Sequence, residues 1–484
     1  YPSPNCLKRG NKSMKKFLKT KSENLSEWYT DVILKAELAD YAPVKGCMVI
    51  RPYGYALWES IQKFMDPLIK EHGVKNAYFP LFIPESYLNK EKEHVEGFSH
   101  QMAVVTYAGG EELKEKLIVR PTSETIMYEM YKQWTQSWRD LPILINQWNN
   151  VVRWEKRTYL FLRTSEFLWQ EGHCAHADHK ESMDTVLWAL DIYKKTYMDL
   201  MATYGVAGVK SESEKFAGAD KTYTFEILMP DGKALQGCTS HDLGQNFAKA
   251  FEWSVQDKDG NQLHPWQNSW GFSTRSIGGL IMVQSDDSGL ILPPKVAPIQ
   301  IIIVPIPGSE NAKILAQELK KGLKEFRVEI DEREGETAGF KFNKWEVKGV
   351  PIRLEIGEKE ANSKSVTVVR RDTGYKNIVN VENLTETLNT AFEEIQNGLL
   401  AKHKKFTEEN THEINTYQEF KEIMEWPKGF ISAFWCEIPE CEKKIKDETK
   451  ASTRCLPLDF KEEKGKCIYC GKEAHHRWLF AQAY

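Results

Sequence analysis

Two adjacent prolines, Pro293 and Pro294, interrupt the stretch LILPPKVAP at residues 290–298. Neither a helix nor a central strand runs through such a pair, because proline lacks the amide donor and fixes its own φ. The chain is thereby split into two parts with different patterns. After the break, IQIIIVPI, a helix over roughly 309–326, FRVEID, VPIRLEIG, SVTVVRR and a helix near 383–400 alternate strand with helix, as in a separate α/β domain. The 484 residues exceed what one hydrophobic core serves, so two to four domains are expected.

Composition narrows the class. Hydrophobic residues make up 41% and charged residues 28%, an ordinary globular mix, and fifteen tryptophans favour large cores and stacking pockets over disorder. The net charge of −4 excludes a global positive field, so any nucleic-acid contact must come from local basic patches. Nine cysteines are too sparse for a disulfide scaffold. The longest apolar run, roughly Ala297–Ile306, is too short to span a bilayer, and no basic-then-apolar leader opens the chain. A reducing, cytoplasmic setting without membrane contact is expected.

The part ahead of the break mixes strands and helices. Residues 1–46 read as a polar, basic arm leading into a helix over Leu25–Ala39. CMVIRP reads as a short strand, and Ala56–His72 as a helix with Leu57, Ile61, Phe64, Met65, Leu68 and Ile69 on one face, ended by Gly73. NAYFPLFIP then reads as a buried strand. A strand ending at Arg120–Pro121, a helix from Ser123 and the strand PILINQW follow. Met183–Tyr204 carries a strong amphipathic pattern, and residues 222–228 and 233–238 form a hairpin across Asp231–Gly232.

No glycine-rich phosphate loop is present, so a nucleotide must be held by side chains, a task that suits arginine's planar fork. VVRWEKRTYLFLRTSEFLWQEGH (151–173) reads as two strands around a tight loop near Arg157–Tyr159. Alternation then places Arg153 and Glu155, and Arg163, Phe167, Trp169, Glu171 and His173, on one face. Such a face combines phosphate-binding cations, stacking aromatics and carboxylates able to hold an amine. The plainer alternative is an ion-paired sheet edge. In RPTSETIMYEM (120–130), Thr122 and Glu124 follow a strand, and a helix N-cap at Ser123 or Thr122 explains them equally well. ALQGCTSHDLGQNF (234–247) reads as a tight turn holding Gln236, Thr239, Ser240 and His241, or as a loop with a cap at Ser240. Arg275 stands among small residues before a helix at Ile277–Gln284, with no nearby acid to pair it. Cys174 and Cys238 read as small core residues.

These segments together resemble the prolyl-tRNA synthetase family of class II aminoacyl-tRNA synthetases, in its archaeal/eukaryotic-type form. VVRWE with FLRTSEFLWQEGH is similar to motif 2, GFSTRSIGGLIM to motif 3, and residues 56–80 to motif 1 with Pro80 as its proline. RPTSE, KFAG (215–218), QNSWG and LPP complete the likeness, which extends from about residue 25 to Tyr484. The loop KRTYL after Glu155 departs from the usual form by one residue. The resemblance implies a multidomain α/β fold: an arm (1–24), a class II catalytic domain with an antiparallel sheet flanked by helices (25–295), an α/β anticodon-binding domain (296–400) and a small α+β C-terminal zinc-type domain (401–484). It implies a homodimer that activates L-proline with ATP and Mg²⁺ and transfers it to tRNA(Pro). Thr122, Glu124, Arg153, Trp169, His173, Phe216 and His241 would form the proline pocket. Arg153, Glu155, Arg163, Thr164, Phe167, Gln236, Thr239 and Arg275 would bind ATP, with Arg153 and Arg275 as the catalytic pair. Glu166 and Glu171 would brace the arginines. Arg153 and Arg275 lie 122 positions apart, which leaves no room for an editing insertion beside the required sheet.

In the second domain Lys341, Trp345, Glu346 and Arg353 are the candidates for reading anticodon bases by stacking and edge hydrogen bonds, and a solvated helix end packed on a strand by Trp345 explains any one of them equally well. A charged stretch, AKHKKFTEENTHE, connects it to the last segment. There Cys436-x4-Cys441 and Cys467-x2-Cys470 suit a structural Cys₄ zinc site, with Cys455 left over. The resemblance also brings the C-terminal Tyr484 back toward the catalytic domain. Two other classes compete: a synthetase-like RNA-binding protein without charging activity, and a threonyl-type enzyme with a catalytic zinc.

Overall fold

A computed structural model describes residues 18–88 and 101–484. Residues 1–17 of the expected N-terminal arm lie outside the described residues. The first helix, Leu25–Lys35, opens on Asn24, whose side chain accepts from the Glu27 amide, and buries Trp28, Tyr29, Val32 and Ile33. The second helix, Pro52–Glu71, starts four residues before the expected Ala56. Pro52 sits at the first helical position, where its missing N–H is harmless. The strand expected across NAYFPLFIP is broken. Lys75–Asn76 pairs in parallel with Ile145 and Asn146, whereas Phe82–Pro84 joins a separate three-stranded sheet. Pro80 between them supplies no donor for a continuous ladder.

Among the described residues the central sheet has eleven strands. Seven belong to the N-terminal part, in the order Val206–Val209, Lys221–Leu228, Ala234–Gly244, Trp266–Ser273, Glu166–His176, Ile143–Val152 and Lys75–Asn76. All their pairings are antiparallel except the last. The helix His179–Lys195 packs across the back and continues as a π-helical turn, Thr196–Leu200, so the expected single helix over 183–204 changes pitch near its end. The sheet does not stop at the domain boundary. Leu456 and Pro457 pair with Val209 and Gly208, and four C-terminal strands extend the same sheet.

The α/β domain has the five-stranded order Val328–Ile330, Ile301–Pro305, Ile352–Ile356, Ser365–Arg370, Lys376–Asn380, parallel on one side and antiparallel on the other. Its last helix runs from Leu384 to Glu409, through the charged stretch expected to be a connector. That helix ties the domains together. Gln396 Nε2 donates to Asp199 O, and His403 accepts from the Tyr204 amide while contacting Leu228 O. Among the described residues no helix is long and apolar enough to cross a membrane.

Candidate active site

The cleft opens on the face of the sheet away from His179–Lys195 and encloses about 400 Å³. The strand Glu166–His176 turns Phe167, Trp169, Glu171 and His173 toward it, the face expected from alternation. Arg153, Glu155 and Arg163 line the same cavity but stand outside the strands, on the loop joining Ile143–Val152 to Glu166–His176. The loop is pinned by Arg153 N donating to Ser165 O and by a Tyr159–Arg163 bridge. Thr164 also lines the cavity, and its hydroxyl donates to Glu166 O at 2.7 Å.

ALQGCTSHDLG proves to be a central strand, Ala234–Gly244, instead of a turn. Ser240 points away from the cleft and donates to Val186 O. Strict alternation from Thr239 and His241 would also turn Gln236 away. A bulge prevents this: Phe225 pairs with Cys238 and Glu226 with Gln236, leaving Gly237 extra. Gln236, Thr239 and His241 therefore line one cavity. Gly237 is required at this bulge, because a Cβ would stand 2.9 Å from the Tyr197 ring, whose hydroxyl bonds Gly237 O.

Thr122 and Glu124 precede and open the helix Glu124–Trp134, but no side chain caps it. The Ser123 hydroxyl instead donates to Glu171, and the Thr122 hydroxyl to Glu124. Glu171 also accepts from Gln147 and Asn149 and pairs with His173 Nε2 at 2.8 Å. Glu166 accepts from Asn150. Glu166 is thus held by the neighbouring strand instead of an arginine, whereas Glu171, bonded by the same strand and His173, also lies close enough to Arg153 to help keep it charged. Burial alone would depress the His173 imidazolium, yet Glu124 and Glu171 outweigh it and raise its pKa.

At the other end Arg153 lies over Phe167 and Trp169, 5.5 and 5.4 Å from the ring centroids, with its Nε on Pro121 O. Burial, with Arg275 second, lowers its pKa to about 10, so it stays charged at neutral pH. Arg275 begins the helix Arg275–Gln284, with Nε on Leu162 O. A cation at a helix N-terminus opposes the dipole, so its placement there favours an anion in the cleft over helix stability. Glu155 pairs with Arg163 at 2.9 Å. Phe216 stacks on His241 at 4.4 Å, and Thr222 Oγ1 accepts from the Phe216 amide and bonds His241 Nδ1. Trp169 Nε1, His173 Nδ1 and Ser269 Oγ are buried on cavity-lining residues without a hydrogen-bond partner among the described residues, as expected where a ligand supplies the partners.

The cavity also takes Thr222, Glu214, Ser269 and Trp270, which were not singled out from the sequence. Ser269 and Trp270 belong to QNSWG, whereas no motif surrounds Thr222 and Glu214. Cys174 and Cys238 are buried, and burial pushes the Cys174 thiol up to about 12 and raises the Cys238 thiol well above its ordinary value, so both favour the neutral thiol of a core residue.

A second cavity of about 220 Å³ in the α/β domain is lined by Trp345, Glu346 and Arg353 together with Arg370, Arg371 and Lys376. Lys341 is not brought there. It is buried, with Nζ on Asp331 O. In the last segment the sulfurs of Cys436, Cys441, Cys467 and Cys470 all lie within 4.8 Å of one another, Cys436 and Cys470 at 3.7 Å. A tetrahedral Zn–S distance of 2.3 Å corresponds to sulfurs about 3.8 Å apart, so the thiols fit that ion. Cys455 is buried in a strand elsewhere. Tyr484 docks on the catalytic domain, its amide donating to Ala234 O, but does not line the cleft.

Comparison with known proteins agrees with this geometry. Residues 105–283 match the tRNA synthetase class II core domain (G, H, P, S and T), residues 300–390 the anticodon binding domain, and residues 417–484 the prolyl-tRNA synthetase C-terminal domain. Proline--tRNA ligase 2 of Clostridioides difficile is 52% identical over 482 residues, covering 98% of this chain and 100% of that protein. Proline--tRNA ligase of Natranaerobius thermophilus is 52% identical over 484 residues, covering 99% and 100%. The crystal structure of prolyl-tRNA synthetase from Cryptosporidium parvum, complexed with halofuginone and AMPPNP, superposes with a TM-score of 0.93 at 43% identity, covering 97% of this chain and 99% of that one. The chain belongs to the prolyl-tRNA synthetase family of class II aminoacyl-tRNA synthetases.

Proposed function

We propose that the cleft joins L-proline to ATP, giving prolyl-adenylate and pyrophosphate, and then passes the prolyl group to tRNA(Pro). One observation carries the reading: a carboxylate-and-aromatic pocket and an arginine pair share one cavity. Thr122 and Glu124 hold the secondary ammonium, and Phe216, Trp169, His173 and His241 surround the pyrrolidine ring. Arg153 stands between, over the carboxylate and toward the α-phosphate. Phe167 and Arg275 sandwich adenine, while Glu155, Arg163, Thr164, Gln236 and Thr239 complete the nucleotide site.

The reaction is in-line attack of one anion on another. Positioning and neutralisation of charge carry it, and no side-chain nucleophile is needed. Arg153 and Arg275 supply fixed positive charge where the phosphate becomes crowded with negative charge. Glu155, on the cavity wall, would offer a carboxylate to an Mg²⁺ ion brought in with the nucleotide, which would supply further neutralisation of phosphate charge. Transfer to the tRNA ribose follows, with the leaving phosphate able to take the proton.

The wider reading keeps the boundaries 1–24, 25–295, 296–400 and 401–484, with Leu384–Glu409 shared by the last two units. Trp345, Glu346 and Arg353 read anticodon bases. Structural zinc sits in the four thiols. A homodimer is supported by the exposed Tyr41, Val49, Tyr78 and Phe82 around the motif 1 segment. Eight unpaired cysteines among the described residues suit a cytoplasmic setting. The archaeal/eukaryotic-type form without cis-editing is supported by the Cryptosporidium likeness, and by strands and helices of the catalytic domain filling the interval from Arg153 to Arg275. Proline-dependent ATP–pyrophosphate exchange tests the reading. Exchange with another amino acid and none with proline overturns it. Metal analysis before and after chelation tests the zinc, with about one ion per chain expected.

A further inference from the structure

The C-terminal segment reaches the cleft through one loop. Between the strands Val206–Val209 and Lys221–Leu228 the chain makes a turn in which Glu214 N and Lys215 N donate to Ser211 O. Phe216 follows at once and stacks on His241. This turn rests on the helix Pro439–Thr449 of the last domain. Glu442, only 3% exposed, accepts from Ser211 Oγ at 3.0 Å, from Ser213 Oγ and from Thr453 Oγ1. One turn on, Lys446 Nζ donates to Glu214, a residue lining the cleft, at 2.8 Å.

A carboxylate removed from water requires hydrogen-bond donors. Glu442 draws two of its three from the turn beside the proline pocket and the third from its own domain, so the carboxylate binds the turn to the C-terminal domain. A loop side chain such as Phe216 encloses a small ring effectively only if its backbone is fixed; its amide bond to Thr222 and the Ala219 amide on its carbonyl tie it to the residues that follow, and the turn before it rests on Glu442. The Lys446–Glu214 pair is solvent-exposed on the lysine side, 57%, and contributes less. Glu442 follows Cys441, so the thiol cluster anchors the first turn of the same helix.

We propose that Glu442 is a positioning residue for amino-acid binding: by holding Ser211 and Ser213 it fixes the turn that sets Phe216 against His241, and so makes proline affinity depend on the C-terminal domain. The inference rests on the proline reading of the pocket. The test uses the full chain, with Glu442→Ala, Glu442→Gln and Ser213→Ala in ATP–pyrophosphate exchange. Glu442→Ala should raise the proline KM roughly tenfold, the size of a lost buried charge-assisted hydrogen bond, with the ATP KM and kcat within about twofold. Glu442→Gln should recover most of the loss. Amides 212–217 should exchange with deuterium faster while those of Lys221–Leu228 keep their protection. A folded Glu442→Ala with unchanged proline KM, or with proline and ATP KM rising together, overturns the proposal. If Glu442→Ala does not fold, Ser213→Ala removes only the loop-side hydroxyl and should raise the proline KM about threefold; no change there overturns it equally. The exchange measurement on the unmodified protein judges the proline reading, and hydrogen exchange judges the coupling without substrate.

Discussion

Two sets of charges withdrawn from bulk solvent lie at the central sheet, and Glu171 of the first is separated from Glu226 of the second by the strands Ala234–Gly244 and Trp266–Ser273. In the cleft, Arg153, Arg275, Glu124 and Glu171 face a cavity and are accompanied by polar atoms that have no hydrogen-bond partner among the described residues. Behind Gln236, paired to it across the ladder, Glu226 is fully buried between Lys210 and Arg454. Lys210 Nζ stands 2.7 Å from one carboxylate oxygen, and Arg454 grips the other with two nitrogens at 2.9 and 2.7 Å. Burial would raise the Glu226 carboxyl, but Arg454 and Lys210 hold it at about 2. The first set is open toward a ligand; the second is closed by the protein itself. The contrast separates charges that face a cavity from charges that join domains, since Arg454 belongs to the C-terminal strand Ala451–Pro457.

The largest expected effect falls on the closed set. Glu226→Gln strands two cations in the interior, which costs about 3–5 kcal/mol of stability. Chemical denaturation should show that loss, while the folded fraction keeps its proline and ATP KM values. A cost below about 1 kcal/mol would break the contrast. Arg153→Ala is the counterpart in the open set. Exchange activity should fall by about 10²–10³, as for removal of one fixed transition-state donor, with little change in stability or tRNA binding. If stability falls as far as activity, Arg153 belongs with the closed charges. A third variant carries the comparison to the α/β domain. Trp345 lines the second cavity and also donates from Nε1 to Asp331 at 2.7 Å, so it shares features of both sets. Trp345→Ala should weaken tRNA(Pro) binding by about 1–3 kcal/mol, the worth of one stacked base, and leave exchange untouched. Loss of exchange would show that its closed, structural side dominates.

The open set was legible where the backbone kept its period. Phe167, Trp169, Glu171 and His173 follow from alternation alone, and the four cysteines from paired spacing. Legibility failed where the backbone departs from regular geometry. The Gly237 bulge restores Gln236 to the cleft, and the loop position of Arg153 and Arg163 follows from side chains that need reach more than pleat. Lys341 resembled an anticodon contact by composition, yet helix Ala338–Val347 turns it inward to Asp331 O. The closed set was not legible at all. Glu226 and Arg454 are 228 positions apart, and Ser211 and Glu442 231. Local periodicity carries no information about strands that meet only because the sheet continues across the boundary. The double proline ended the catalytic part in the chain but not in the sheet.

The smallest expected effect tests whether the open set also contributes to folding. His173 and Glu171 bond each other inside the cleft wall, with Glu124 nearby. The folded His173 pKa is raised, so its contribution is fully present below the unfolded value of about 6.5 and fades as pH rises through the folded value. The folded Glu171 pKa is lowered: burial opposes this, but His173 and Ser123 prevail. Its contribution is present above the unfolded value of about 4.3 and fades as pH falls through the folded value. The pair therefore stabilises the fold most between those two unfolded values. His173→Gln should flatten the alkaline limb of the stability–pH curve and leave the Glu226-dependent part unchanged. A variant that keeps the wild-type slope above pH 6.5 would show that His173 is neutral in the folded chain. The cleft would then be poised for its ligand by the carboxylates alone.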